Sequence, residues 1–480
     1  MSKILSFQNS FIEKVVVHIT ESGVNMEHLN VIVPSDRAAN QLRVQIAKTL
    51  TKPILAPNIQ TIDKWMKPEG ILVADETRQL LCLHEIAQKF QDIPNENFEE
   101  FLSWGKIAVK DFNEIDRYLL NPIAVFKNLA SIKELESWQI DEEAYSESQK
   151  KFLGFWEKLP EMYTSFNGSL KKNGQVTSGR AYKKFAEERQ DFLSSSAKNY
   201  FIFAGFNALS KAELVSIKKI IDAKKGVFLS ESDTFYINDK LHEAGSFLRK
   251  NHDYLGESYN PKPAEKLLNK SMDVKIIECA QHIGQVKIAA DELSKLSEEE
   301  VNNTLVLLCD EALIGSMIHH IPKNVSKTNL TLGLPLTQTA VKSWIDILFQ
   351  IQENKIKFQS NSIYFYDLQR FINHSFTISA LSIDEVQDLG DVERNAIRFN
   401  RIFQNPKVLQ KSKDLSILCG LVFEGWSENW RKALRQIRGL NAFFLDRMDN
   451  EVNFEKTILH VLDDALVELE NIIEEGIPKM

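Results

Sequence analysis

Apolar and polar positions alternate along this chain in two distinct rhythms, and the first change of rhythm comes early. Val31-Ile-Val33 is a run of β-branched apolar residues, the mark of a buried strand, and Pro34 and Ser35 close it. From Ala38 to Leu50 the apolar positions (Leu42, Ile46, Leu50) fall at helical spacing, with Arg43 and Lys48 among them. Strand, turn and helix in that order form the unit of a parallel α/β sheet. Ahead of it, residues 4–22 read as an amphipathic helix with Ile4, Phe7, Phe11, Val15 and Ile19 on one stripe. Behind it, Pro53–Pro57 and Asn58–Trp65 predict a short strand leading into a helix. The pattern is then helical from about Glu76 to Arg189, before a second apolar run, Tyr200–Phe206, resumes the sheet. A helix through Ile221 and a strand at Gly226–Ser230 follow.

Residues 256–273, with Gly256, Pro261 and Pro263 among polar neighbours, read as a linker. Past it the pattern predicts a second α/β unit. Its strands would be Val274–Glu278, Thr304–Cys309 and the Asn329–Leu336 segment, and its helices Gly284–Leu296 and Glu311–His320. From Thr337 onward helical patterns dominate, and no strands return to complete that second sheet.

Composition narrows the classes. A chain of 480 residues has room for roughly two to four domains. Its net charge of −8 supplies no global basic field for nucleic acid, so any such binding must use a local patch. The cysteines (Cys82, Cys279, Cys309, Cys419) form no CxxC pair, which argues against a zinc ribbon or a disulfide framework. No run approaches the ~18 apolar residues of a membrane helix, and the polar N-terminus lacks a signal-peptide pattern, so the cytoplasm is the expected location. Nothing fits GxxxxGK[ST]. Gly105-Lys106, the sole Gly-Lys pair, lies in a helical pattern and is followed by Ile107. No cofactor is therefore expected.

Several clusters invite a chemical reading. Ser35 and Arg37 occupy the turn at the carboxyl end of the first strand, where open sheets usually bind ligands. An arginine there could hold phosphate, or could be a surface arginine in an ion pair. Arg43 follows on the next helix. Arg431, Arg435 and Arg438 make a basic helical stripe suited to phosphate, to an acidic partner, or to solvent alone. Ile383-Asp-Glu-Val-Gln-Asp388 matches the magnesium motif DExQD, yet it lies after the second α/β unit and faces no P-loop. It reads as a helix start with Asp384 and Glu385 near the helix N-terminus, preceded by a modest strand candidate at Phe376–Ser382. His319 and His320 point about 100° apart on a helix and have no third ligand nearby. Asp111, Glu114 and Asp116 read as a solvated helix face, and Lys171–Gly174 with Ser178–Arg180 as a basic, glycine-containing loop, either solvated or in contact with phosphate. The aromatics from Phe98 to Phe166 could stack on bases, but their helical spacing favours core packing.

An α/β domain split by a helical insertion and followed by a second α/β domain resembles the plan of UvrD/Rep-type helicases. Val31-Ile-Val-Pro-Ser-Asp-Arg37 resembles the segment after the first core strands of AddB/RexB-type helicase–nuclease subunits. Phe201-Ile-Phe-Ala-Gly-Phe-Asn-Ala-Leu-Ser-Lys-Ala-Glu213 looks like their version of motif II, with Gly205-Phe206 where active helicases carry the Asp-Glu of magnesium and water activation. Phe98–Leu135 and Asn329-Leu-Thr-Leu-Gly-Leu-Pro-Leu336 are similar to segments of the AddB-like proteins of Bacteroidetes. The resemblance spans most of residues 1–375.

It implies an α/β chain of RecA-like parallel-sheet domains interrupted by large all-α insertions. Residues 1–75 and 195–260 would form the split first domain, 76–194 its insertion, 270–350 the start of a second domain, and 351–480 a helical region, possibly truncated. The implied function is that of a catalytically inactive helicase-like scaffold in double-strand-break repair and recombination. It would guide single-stranded DNA or a duplex end without sequence preference and dock a UvrD/AddA-like helicase subunit, in a longer protein whose PD-(D/E)XK nuclease lies further on. Two other classes stand beside it: a protein-interaction module without DNA contact, and an ATPase or nuclease with an unorthodox site.

Overall fold

The computed structural model describes residues 10–49, 55–90, 96–136, 147–188, 199–256, 267, 273–331, 333, 335–426, 429–447 and 454–474. Ile4, Phe7, Leu50, Trp138, the side chain of Phe152 and most of the expected linker lie outside them. The chain forms two compact units, Met1–Asp273 and Val274–Met480.

In the first unit, α1 (Phe11–Glu21), β1 (Leu29–Val33), α2 (Asp36–Thr49), β2 (Asn58–Thr61) and α3 (Ile62–Met66) follow one another. The short strand β3 (Leu72–Val73) then leads into α4 (Glu76–Ala87), α5 (Phe98–Arg117), α6 (Pro122–Glu136) and α7 (Glu147–Lys172). The chain returns through β4 (Gln175–Val176), α8 (Ser178–Glu188), β5 (Tyr200–Ala204), α9 (Lys211–Asp222), β6 (Gly226–Leu229), α10 (Thr234–Asn238) and α11 (Ser246–Leu255).

β2, β1, β5 and β6 make one sheet in that order, every pair parallel, with Val31 opposite Ile59 on one side and Ile202 on the other. Helices cover both faces, which is why β1, β5 and β6 read as unbroken apolar runs. Val31, Val33, Ile202 and Ala204 face one core with Val15, Ile19, Leu42 and Ile46 of α1 and α2. Ile32, Phe201 and Phe203 face the opposite core with Trp65, Phe185 and Ile217. Trp65 meets Phe185 and Phe203 with ring centroids 4.8 and 5.2 Å apart, fastening α3 and α8 to the sheet. The helical insertion has its own core of Phe101, Phe112, Phe126, Tyr163 and Phe166, so those aromatics are spent on packing. The β3–β4 pair ties the start of the insertion to its end.

The second unit is helical: α12 (His282–Ser294), α13 (Glu298–Asn302), α14 (Ile314–His319), α15 (Ala340–Phe358), α16 (Phe365–Ile372), α17 (Ser375–Ala380), α18 (Ile383–Arg398), α19 (Lys413–Phe423), α20 (Trp430–Arg447) and α21 (Phe454–Glu474). Trp344, Phe371, Phe376, Phe423 and Phe444 centre its core. Among the described residues its only strands are β7 (Ile363–Tyr364) and β8 (Phe403–Gln404), an antiparallel pair. The expected strands at Val274–Glu278 and Thr304–Cys309 are not formed. These segments run without ladder partners and leave Ile276, Leu305 and Leu307 at 91, 82 and 79% exposure. A strand needs a neighbour to hydrogen-bond, and none of the described residues supplies one. Phe376–Ser382, the other strand candidate, falls mostly in α17.

Candidate functional site

The sheet reverses its direction of growth between β1 and β5, since β2 is added on one side and β6 on the other. In parallel sheets that switch point opens a crevice at the carboxyl ends of the strands. Here the residues at that point are Pro34 and Ser35 after β1, and Gly205 and Phe206 after β5. Gly205 turns with φ +83°, and a Cβ there would lie 3.3 Å from the ring of Phe11, so an aromatic side chain covers the turn. Phe206 is buried and packs near Phe228. The Ser210–Glu213 end of the same segment is a capping box that starts α9. The Ser210 N–H donates to Glu213 Oε2 at 2.6 Å, and the Glu213 N–H donates to Ser210 Oγ at 3.4 Å. Glycine, phenylalanine and glutamate in this stretch thus have turn, core and cap duties.

The candidate residues beside the crevice divide. Ser35 Oγ accepts the Ala38 N–H at 3.2 Å and so caps α2. Arg37 is exposed and forms no ion pair among the described residues. Arg43 is committed within the fold, donating to Asn40 Oδ1 at 2.7 Å and to the Ile59 carbonyl at 2.6 Å, which ties α2 to β2.

Beyond the crevice, α3, α5, α7 and α8 bring together a polar cluster of which the sequence reading had named only Asp116 and the Ser178–Arg180 segment, the latter expected in a loop but forming the start of α8. Asp63 accepts the Tyr182 hydroxyl at 2.9 Å and pairs with Lys67 at 2.7 Å, with Arg117 at 3.8 Å. Burial alone would raise its pKa, but hydrogen bonds from Lys67 and Tyr182 and the charges of Lys67 and Arg117 hold it below the usual carboxylate range. The Arg117 guanidinium lies 4.4 Å over the Tyr182 ring and donates to Ser178 Oγ at 3.2 Å. Asp116 is fully buried, contrary to its reading as part of a solvated face. Its Oδ1 accepts the Tyr163 hydroxyl at 2.7 Å and meets Arg180 at 3.3 Å and Lys183 at 3.5 Å, while Oδ2 has no partner among the described residues. Burial and the neighbouring carboxylates push both tyrosine hydroxyls up, so they stay protonated donors.

Gly179 is needed for this approach, because a Cβ there would come within 2.2 Å of the Asn113 carbonyl oxygen. The first amides of α8 are already spent: Gly179 N–H donates to Asn113 Oδ1 at 2.8 Å and Arg180 N–H to Thr177 Oγ1 at 3.1 Å. A signal for Asp116 was present in the sequence, since it falls four residues after Phe112 on the buried stripe of α5. Its partners were not, lying 47 and 64 residues away.

In the second unit the basic stripe of α20 is only partly open. Arg431 lies 4.4 Å over the Trp430 ring, Arg435 is exposed, and Arg438 pairs with Glu470 at 2.6 Å and Asp463 at 3.6 Å on α21. The DExQD match is a helix cap. Ser382 and Glu385 form the capping box of α18, Glu385 also accepts the Ser412 hydroxyl at 2.5 Å, and Asp388 pairs with Lys411 at 2.8 Å. A ring N–H of His320 donates to the Ser316 carbonyl at 2.8 Å, and no group of three metal-ligating side chains occurs among the described residues. Between α15, α20 and α21 runs an apolar groove of about 1030 Å³, lined among others by Phe349, Ile356, Trp426, Trp430, Leu466 and Leu469.

The chain matches no family model and no curated protein.

Chemically, the two carboxylates of this cluster, Asp63 and Asp116, are each tied to cations and are not paired with one another as an acid–base couple. What the cluster offers is fixed positive charge: Arg180 oriented by the buried Asp116, and Arg117 by Tyr182, Ser178 and the half-exposed Asp63. That suits the binding of an anion better than the making or breaking of a bond.

Proposed function

We propose that this chain is a helicase-like scaffold without catalysis, of the AddB kind, that guides DNA and docks a UvrD-type motor subunit in double-strand-break processing. One observation carries the reading. A parallel sheet of order β2-β1-β5-β6, interrupted by a helical insertion, presents Phe11, Gly205 and Phe206 at the crevice where a nucleotide-using sheet would place a phosphate-cradling loop and an Asp-Glu pair. Arg37 at the rim, with the oriented arginines of the insertion, supplies local positive charge on a chain whose net charge is −8. No described helix is long and apolar enough to cross a membrane.

The test is single-stranded DNA binding by fluorescence anisotropy over a salt series, with and without Mg·ATP. Binding that weakens steeply with salt and ignores ATP supports the scaffold. An ATP response would return the chain to the enzymes.

A second reading, a protein-interaction module without DNA contact, draws on the second unit, where the apolar groove stands open. Absence of DNA binding at low salt would favour it.

A further inference from the structure

We propose that Arg117 and Arg180 form a paired-guanidinium clamp for the phosphate backbone of the bound nucleic acid, at the seam between the sheet and its helical insertion. The proposal rests on the DNA-guiding reading and assigns to it a place of which the sequence had offered only the Ser178–Arg180 end, Arg117 and the backing carboxylates being brought there by the fold.

Both guanidinium groups stand at the first turn of α8, Arg180 as a member of it and Arg117 through its bond to Ser178 Oγ at 3.2 Å. Each has a carboxylate beside it: the half-exposed Asp63 stands 3.8 Å from Arg117, and the buried Asp116 lies behind Arg180 at 3.3 Å. At the Arg180 pair the acid is buried and the cation open, with side chains 1 and 44% exposed; at the other pair both partners reach the surface, Asp63 at 51% and Arg117 at 38%. A purely structural ion pair in a seam would be expected to bury both partners and use their donors. Here Arg180 reaches Asp116 and Tyr163 through Nη1, and Arg117 reaches Ser178 and Asp63 through Nη2. Among the described residues the other N–H groups of both guanidinium groups have no acceptor.

Orientation is fixed by the same contacts. The Arg117 guanidinium rests over the Tyr182 ring at 4.4 Å, and the buried Asp116 charge holds Arg180 in place, since leaving it uncompensated is costly. A phosphate arriving at the outer faces meets forks that are already ordered, and little side-chain entropy is lost on binding. Lys183, 3.5 Å from Asp116, and Lys67, beside Asp63, add to the local field. From Asp63 the cluster continues through Lys64 and its partner Asp36, at 2.9 Å, to Arg37 at the crevice rim. The nearby acids (Asp36, Asp63 and Asp116) are each already paired with a cation of the group, and Glu213 is spent on its cap. The first α8 amides are occupied too, so the clamp depends on side chains and not on the helix end.

The experiment measures binding of a fluorescein-labelled oligodeoxythymidine to the full chain across a salt series. It compares the wild type with Arg117→Gln/Arg180→Gln and Arg117→Lys/Arg180→Lys. Removing two phosphate contacts should lower the slope of log K against log salt by about 1.4. Affinity should fall on the order of tenfold. The lysine pair should keep the slope and lose part of the affinity, because it retains charge without the planar fork. A natively folded glutamine variant that binds with unchanged slope overturns the clamp and leaves the DNA reading standing. A wild type that binds no DNA overturns both. If the glutamine variant unfolds, phenylglyoxal modification of the wild type decides: the oligonucleotide should shield Arg117 and Arg180, and equal labelling with and without it overturns the clamp.

Discussion

Replacing Glu385 by alanine separates the two meanings of the DExQD stretch. In the structure its carboxylate accepts the Ser382 N–H at 3.1 Å, the Ser382 hydroxyl at 3.0 Å and the Ser412 hydroxyl at 2.5 Å. Ser412 is itself the N-cap of α19, with Oγ accepting the Leu415 N–H at 3.0 Å. One side chain therefore braces the starts of two helices. Losing these bonds, each a modest net contribution, should cost about 2 kcal/mol. Ser382→Ala, which removes the other half of the box, should cost about 1 kcal/mol. Asp384 makes no hydrogen bond or ion pair among the described residues and contributes through the helix dipole, so Asp384→Ala should cost about 0.5 kcal/mol. At roughly 2–4 °C per kcal/mol, the melting temperature should drop by about 4–8 °C for Glu385→Ala and about 1–2 °C for Asp384→Ala. Scanning calorimetry of the full chain, with urea titrations as a second measure, reads the ranking. A magnesium site would reverse it in function, with both acids needed for a Mg-dependent turnover. The capping account fails if Asp384→Ala destabilises as much as Glu385→Ala, or if the wild type hydrolyses a nucleotide and Asp384→Ala abolishes the activity.

Three further outcomes follow from the packing. Asp116→Ala strands Arg180 and Lys183 beside a buried space and should cost about 3 kcal/mol or more, against a smaller loss for the half-exposed Arg180→Ala; equal losses in urea unfolding would refute the asymmetry. Gly179→Ala drives a Cβ against the Asn113 carbonyl and should destabilise by about 2 kcal/mol, whereas a neutral result would mean that α5 and α8 can part freely. His374 accepts the Phe376 N–H on Nδ1 at 3.2 Å, and its Nε2–H reaches Ser343 Oγ at 2.9 Å, so the cap of α17 needs the neutral ring. Burial lowers its pKa from the ordinary histidine value. Below that ordinary value the unfolded chain binds the extra proton more readily, so the contribution is whole above about pH 6.5 and is lost as pH falls through the lowered pKa. His374→Asn, which cannot take up the proton, should flatten that dependence in pH-resolved urea unfolding.

Much of the first unit was legible because its signals are local. β1, β5 and β6 are covered on both faces, and a strand buried on both faces writes itself as an unbroken apolar run. The DExQD stretch could be read as a helix start because acids in a first turn suit the helix dipole, and the structure adds a capping box there, as at Ser210–Glu213, set by a spacing of three residues. The aromatics of the insertion carried their burial in their helical spacing. Charge and pairing carried no such record. Arg37, Arg43 and Arg438 are the same residue type in similarly polar surroundings, yet one is open, one is spent on a carbonyl across to β2, and one is neutralised by α21. Asp116 lay on the buried stripe of α5, unlike Asp111, but the partners that hold it there came only from helices 47 and 64 residues away. The apolar segments at Val274 and Thr304 share the apolar, strand-forming character of β1 but find no neighbour among the described residues, so they stay outside any sheet. Periodicity records which face of an element is dry. A hydrogen bond or an ion pair is decided by whatever the rest of the fold brings to the other end of it.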